Sequence, residues 1–336
     1  MAWWVMDEEH AVSKAELSVH LLGPPLKKRG YSCGPQHSPF RWLWSRGLIC
    51  LLTSLVPSAM TSVLTKILEN KYQAFELVFF QGMFAACTLT FWSKSSGKLI
   101  LGPKSILHLT IPRGIFGALS IAFYYITLHL LPIGDGIALF YMNPIITASL
   151  SWILGVETIR TVMVIGVIFS MMGIVLVAQP PFLFGNLAVK WTTERTVGFA
   201  TGGLSALFVS IAYLCVAKIG DRATSSTITL WFQFTAVLMS VPMLAIGFPR
   251  DAQFQFSAME GLMMVATCAA SLGAQVLKVR GFQLCNASIG AAVPSLELVL
   301  SYIIGYAVLN ETLSLVKLAG ATLMIIGVLC VAGGKK

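Results

Sequence analysis

Ten predominantly apolar runs follow one another along the chain, at about 47–67, 75–93, 113–131, 135–154, 161–178, 197–217, 226–247, 258–277, 287–309 and 315–332. Each approaches the ~20 residues that a helix needs to cross ~30 Å of hydrocarbon, where every backbone polar group must be satisfied internally. The pattern therefore predicts an all-α membrane protein of ten transmembrane helices. Pro132–Gly134 alone separates the third run from the fourth, and Arg280–Asn286 largely fills the gap between the eighth and ninth. Connections that short make sequential helices antiparallel neighbours. Residues 1–46 have no n-region, h-region or cleavage-site sequence and are expected to form a disordered cytosolic tail.

Composition agrees with this pattern and narrows the function. Hydrophobic residues make up 56% of the 336 positions and charged residues 11%, against roughly 25% charged in an ordinary soluble domain. That is too little charge to clothe a soluble body of this size, so the surface must face a lipid bilayer. With the N-terminus taken as cytosolic, seventeen Lys and Arg residues fall in inside segments, Arg113 and Lys278 among them, and six fall outside. This positive-inside bias places both termini in the cytosol. The net charge of +9 is then partly an orientation device, so no nucleic-acid partner is expected. Seven scattered cysteines without a C-x-x-C pair read as small packing residues. The five histidines never fall at i and i+4 on a helix, so no metal site and no cofactor is expected, and a zinc hydrolase or acyltransferase has little to stand on.

The chain also repeats itself. Residues 138–178 can be laid on 292–332 at a constant offset of 154, which superposes Glu157-Thr158 on Glu311-Thr312, Gly166 on Gly320 and Gly173 on Gly327. Near the starts of the halves an offset of 152 puts Ser58 on Ser210 and Lys66 on Lys218. Fixed spacing over forty residues points to duplication. Five spans per unit is an odd number, so the second unit enters the membrane from the opposite side. The expected organisation is a tail at 1–46, one five-helix repeat at 47–178, a connection at 179–196, an inverted repeat at 197–332 and a cytosolic end at 333–336. Such inverted repeats can expose one central site alternately to opposite faces. The competing reading is a non-transporting membrane adaptor that binds a partner through its tail and loops.

Candidate site residues concentrate in the fourth and ninth runs. Tyr141, Asn143 and Pro144 lie in one, and Pro294, Glu297, Ser301 and Tyr302 in the other, with Asn143 falling on Glu297 at the 154 offset. A proline inside a span frees a carbonyl that protein, polar groups or water must answer. A carboxylate near the bilayer midplane costs about 2.5–3.5 kcal/mol if exposed to lipid, so Glu297 must face the interior. Three roles compete for it: a site for a coupling proton or ion, a partner of the bound solute, and a structural lock to Asn143 or a nearby tyrosine. Lys66 and Lys218 read as snorkelling anchors or as rim charges for an anionic solute. Lys278 follows Ser271 and Gln275 on one helical face and could reach inward. Tyr124 and Gln275 complete a medium-sized polar cavity suited to a small organic solute. Gly166 with Gly173 and Gly320 with Gly327 mark helices that pack closely and support the site.

The segments "LPIGDGIALFYMNPIITASLSWILGVET" at 131–158 and "ELVLSYIIGYAVLNET" at 297–312 resemble the paired EamA domains of the drug/metabolite transporter superfamily. "LVAQPPFLFG" at 176–185 and "IPRGIFGALSIAFYYITLHLLPIGDG" at 111–136 are more narrowly similar to the group G branch of solute carrier family 35. The resemblance covers roughly 47–332. It implies secondary transport of a small-molecule solute, a metabolite or organic anion, through a helical bundle, without enzymatic chemistry and with a homodimer left open. The family often places proline directly after a glutamate in the ninth span, whereas here Leu298 follows Glu297 and Pro294 precedes it by three residues.

Overall fold

The computed structural model describes residues 47–95, 102–156, 161–184, 192–253, 255–309 and 315–333. The expected tail at 1–46 and the repeated Glu157-Thr158 and Glu311-Thr312 lie outside them. The described chain is helical: α1 (Gly47–Leu68), α2 (Ala74–Ser95), α3 (Leu107–Leu130), α4 (Ile133–Phe140), α5 (Asn143–Ile153), α6 (Thr161–Ala178), the short α7 (Pro181–Phe184), α8 (Thr193–Ile219), α9 (Ser225–Ile246), α10 (Ala258–Leu284), α11 (Ala287–Ala292), α12 (Leu296–Leu309) and α13 (Leu315–Gly333). Eight stretches, with α4 and α5 counted together, are long and apolar enough to cross a membrane, and α11–α12 and α13 supply two shorter apolar ones. Large apolar side chains such as Phe91, Trp92, Leu238, Ile246 and Leu262 stand exposed on the outside of the bundle, where a bilayer would cover them.

Local chemistry sets the helix ends. Ser257 and Glu260 form a reciprocal capping box at the start of α10: the Ser257 hydroxyl accepts from the Glu260 amide at 3.3 Å, and the Glu260 carboxylate from the Ser257 amide at 2.8 Å. Thr192 and Thr224 cap α8 and α9 in the same sense. Gly247, at φ 71°, closes α9 in the left-handed conformation that glycine adopts without strain. Two boundaries differ from the hydropathy reading. Helix α3 begins six residues before the expected third span, so that Arg113, the first residue of that span, stands inside a helix and not at its end, while α10 runs seven residues past the expected eighth and takes in Lys278 and Arg280. Apolar runs stop at charges, but helices do not when the charges have partners or a cavity to occupy.

Packing follows small residues. The most extensive pairings are α6 with α13, α3 with α8 and α1 with α10, followed by α9 with both α2 and α3. At the α6–α13 crossing a methyl group added to Gly166 would sit 2.6 Å from the Gly327 carbonyl, and one on Gly173 would sit 2.5 Å from the Gly320 carbonyl. The two backbones therefore touch, as expected of small residues seven apart on one face. Between α3 and α8 the hydroxyls of Ser120 and Ser205 each donate to the other's backbone carbonyl, at 2.9 and 2.8 Å. Thr127 and Thr201 hydroxyls meet at 2.9 Å further along the same seam.

Candidate functional site

Two helix breaks open the middle of the bundle. Pro144, the second residue of α5, brings no N–H, which orphans the carbonyl of Phe140 four residues earlier. The Asn143 side-chain amide donates to that carbonyl at 2.9 Å, and the Ser210 hydroxyl of α8 donates to the Asn143 carbonyl at 3.1 Å. The second break, at Val293–Ser295, contains Pro294, and the Ser295 hydroxyl donates to the Ala292 carbonyl at 2.6 Å. Asn143 thus spends its donor on the backbone, while its Oδ1 is buried without a partner.

Between the breaks lies a cavity of about 290 Å³ lined by α1 to α5 and α8 to α12, with α6 and α13 contributing nothing to the wall. Of the residues expected from sequence, Tyr124, Tyr141, Asn143, Gln275, Lys278 and Glu297 line it. Lys66, Lys218 and Ser301 do not: Lys66 and Lys218 sit in the last turns of α1 and α8, and Ser301 lies a turn beyond Glu297 on α12. Tyr302 belongs to α12, but its side chain lies outside the described residues.

The charges in the cavity are arranged unequally. Lys278 Nζ lies 3.2 Å from Glu297 Oε2, and the Ser62 hydroxyl donates to Glu297 Oε1 at 3.0 Å. Both members of the ion pair keep 16% side-chain exposure, so they face the cavity rather than dry core. Glu297 is therefore held by Lys278 and Ser62, and among the described residues neither Asn143 nor a tyrosine is its hydrogen-bond partner. The unexpected member is Arg113, which the sequence puts at the first position of the third run and among the inside charges. It is 4% exposed, lines the cavity and lies 4.8 Å from the Phe232 ring centroid, a cation–π distance. Without Arg113 and Lys278 the expected inside count falls from seventeen to fifteen, against six expected outside. Arg113, Gly117, Ser120 and Tyr124 fall at i, i+4, i+7 and i+11 on α3, a polar and small stripe that was readable before the structure.

Aromatic rings give the wall its body. Tyr124 packs on Phe140 with centroids 4.7 Å apart, and Tyr213 stacks on Phe282 at 4.2 Å. Ser271 donates to Gln81 at 3.0 Å across α10 and α2. Hydroxyls, amides and rings around one ion pair and one guanidinium can hold an organic molecule, and among the described residues no cluster of His, Cys, Asp and Glu could hold a metal ion.

Away from the cavity, one end of the bundle is tied by polar contacts. Lys71 pairs with Glu260 at 2.8 Å, the Tyr72 hydroxyl donates to the Gln255 carbonyl at 2.8 Å, and Arg250 donates to the carbonyls of Glu69 and Tyr72, both at 2.6 Å. Burial pushes the Glu69 carboxyl above its ordinary range, partly offset by the Arg250 charge. The Glu260 carboxylate raises the Lys71 ammonium by its hydrogen bond.

A chain with these helices and this cavity belongs to the EamA-like transporter family, whose description matches residues 45–179 and again residues 196–333. It is 26% identical to Probable transport protein YPL264C of Saccharomyces cerevisiae, over 61% of this chain and 67% of that one. With human Solute carrier family 35 member G1 it shares 20% identity, over 60% of this chain and 56% of that one. The Pseudomonas aeruginosa pseudopaline exporter CntI aligns more completely, at 23% identity over 86% of this chain and 96% of its own. A crystal structure of a protein 18% identical in sequence superposes with a TM-score of 0.70, covering 85% of this chain and 96% of the other, which shows a shared fold. The resemblance to EamA domains and to solute carrier family 35 thus holds, and the chain is a multi-pass membrane transporter of this family.

Proposed function

We propose that this protein is a secondary transporter that carries a small organic solute through the central cavity by alternating access, without covalent chemistry. The observation that carries the reading is the cavity itself, walled by both matched segments, polar, and bordered by the two helix breaks. Further support comes from the packing. The 154-residue offset turns the Gly166–Gly327 contact into the Gly320–Gly173 contact, as a twofold relation between halves requires. Helix pairings are reciprocal in the same way: α1 lies on α10 as α8 lies on α3. Ten spans in two inverted five-helix repeats, at 47–178 and 197–332 with both termini cytosolic, account for these relations and for the charge bias.

The Lys278–Glu297 pair of the second half, with the Ser62 hydroxyl of α1 in the first half on the same carboxylate, is the element through which movement of the halves is coupled to the solute or to a proton. The test is uptake into proteoliposomes from a mixed metabolite pool, with wild type and Glu297→Gln compared under an imposed pH gradient. Wild type is expected to accumulate at least one solute, and Glu297→Gln to lose the dependence on the gradient. Equal gradient dependence in both proteins removes Glu297 from coupling, and no accumulation by folded wild type contradicts transport.

A further inference from the structure

Three charged side chains line the cavity, and they do not cancel. Glu297 is neutralised by Lys278 at 3.2 Å. Arg113 has no carboxylate within ion-pair distance among the described residues, and its Nε is buried without a hydrogen-bond partner. Phe232 covers the guanidinium at 4.8 Å. Glycine at 117 leaves room for it, since a methyl group there would collide with Arg113 Nη1 and would lie 2.8 Å from the Phe232 ring. A buried cation without a counter-charge is costly to keep unless something binds it. Arginine presents a planar fork that matches a carboxylate in two parallel hydrogen bonds.

We infer that Arg113 is the anchoring site for a carboxylate, and that the transported solute is a small organic acid bearing one net negative charge. This rests on the reading of the cavity as a transport site. The charge count selects the class. One unbalanced positive charge is matched by one carboxylate. A phosphate monoester brings about −1.5 to −2 charges at neutral pH, and so overfills the site. An amino acid zwitterion brings an ammonium that would need Glu297, whose carboxylate is already engaged by Lys278 and Ser62. The carboxylate lies on Arg113 over Phe232, and the uncharged body of the acid extends past Tyr213 toward Gln275 and Tyr124, which line the same cavity.

The experiment uses the full chain in lipid nanodiscs. Thermal midpoints are recorded with lactate, benzoate and phenylacetate, with their neutral amides, and with phenyl phosphate. The expected result is stabilisation of wild type by at least one carboxylate and by none of the amides, with phenyl phosphate weaker. Arg113→Gln should weaken the carboxylate's half-saturating concentration by about tenfold to a hundredfold, and Arg113→Lys by less. The empty Arg113→Gln protein should melt no lower than empty wild type, because an unpaired buried charge has been removed; a purely structural arginine would give a lower midpoint. Gly117→Ala should weaken the same carboxylate while leaving every charge in place. If no carboxylate stabilises folded wild type, or if amides and carboxylates act alike with or without Arg113, the inference is overturned. Counterflow with the stabilising acid separates the two claims. Binding lost in Arg113→Gln without any counterflow in wild type upholds the anion site and removes transport. Counterflow of neutral solutes that Arg113→Gln leaves unchanged does the reverse.

Discussion

Lys278 of α10 and Glu297 of α12 form an ion pair at 3.2 Å, with the Ser62 hydroxyl of α1 on the other carboxylate oxygen at 3.0 Å. Three helices from both ends of the sequence are thereby fastened at one carboxylate. Removing either partner alone leaves a largely buried charge. Lys278→Met and Glu297→Leu should each lower stability by about 2–4 kcal/mol, near the low end for buried pairs because the cavity gives partial exposure. The double variant should recover much of that loss. Thermal unfolding of the four proteins measures the coupling, and additive single effects would remove the pair from the account.

The α6–α13 crossing should tolerate nothing larger than glycine. Gly173→Ala places a methyl group 2.5 Å from both the Gly320 carbonyl and Met324 Cγ, so the helices must part. A loss of about 1–3 kcal/mol is expected from overpacking. Gly203→Ala, Gly261→Ala and Gly273→Ala meet nothing within 4 Å and should be neutral or slightly stabilising. Midpoints of unfolding for this set, measured in one detergent, check the contrast.

Gln283 of α10 donates to the carbonyls of Gly220 at 2.6 Å and Ala223 at 2.8 Å, and so closes the turn between α8 and α9. Gln283→Leu deprives both carbonyls and should cost about 1–3 kcal/mol. Hydrogen exchange should show faster amide exchange confined to residues near 220–224; unchanged exchange there would assign the turn's stability elsewhere.

Glu69 supplies a pH signature at the tied end of the bundle. Its folded carboxyl is raised by burial, so the folded state binds the proton more tightly than the unfolded chain does. Stability contributed by the protonated form is present below the unfolded carboxylate range and is lost as pH rises through the raised folded value. Glu69→Gln should therefore raise the thermal midpoint at neutral pH and make no difference in acid. A midpoint difference of the same size at both pH values contradicts this assignment.

Much of this arrangement could be read from the chain. The apolar runs and the proline breaks at Pro144 and Pro294 follow from the medium the helices must cross, and Glu297 was legible as a carboxylate that must face the interior, where it lines the cavity. The glycines at 166, 173, 320 and 327 announced a close crossing, and the structure brings them into mutual contact. Lys278 was legible as the third member of a face with Ser271 and Gln275. Arg113 stands at the first position of the third run and so reads as an inside orientation charge, and only the stripe with Gly117, Ser120 and Tyr124 argues otherwise. Its neighbour Phe232 comes from α9, over a hundred residues away, and no local pattern encodes that meeting. Lys66 and Lys218 matched each other in the repeat but stand at helix ends away from the cavity wall, since symmetry relates positions without saying which face they occupy.

Labelling of single cysteines in the cavity wall tests alternating access most directly. With the seven native cysteines replaced, Gln275→Cys and Tyr124→Cys are exposed to a membrane-impermeant thiol reagent from one side or the other of sealed proteoliposomes. Both positions should react from either side, and a transported solute should change the two rates in opposite directions. Reaction from one side alone, at rates no solute alters, would contradict the account.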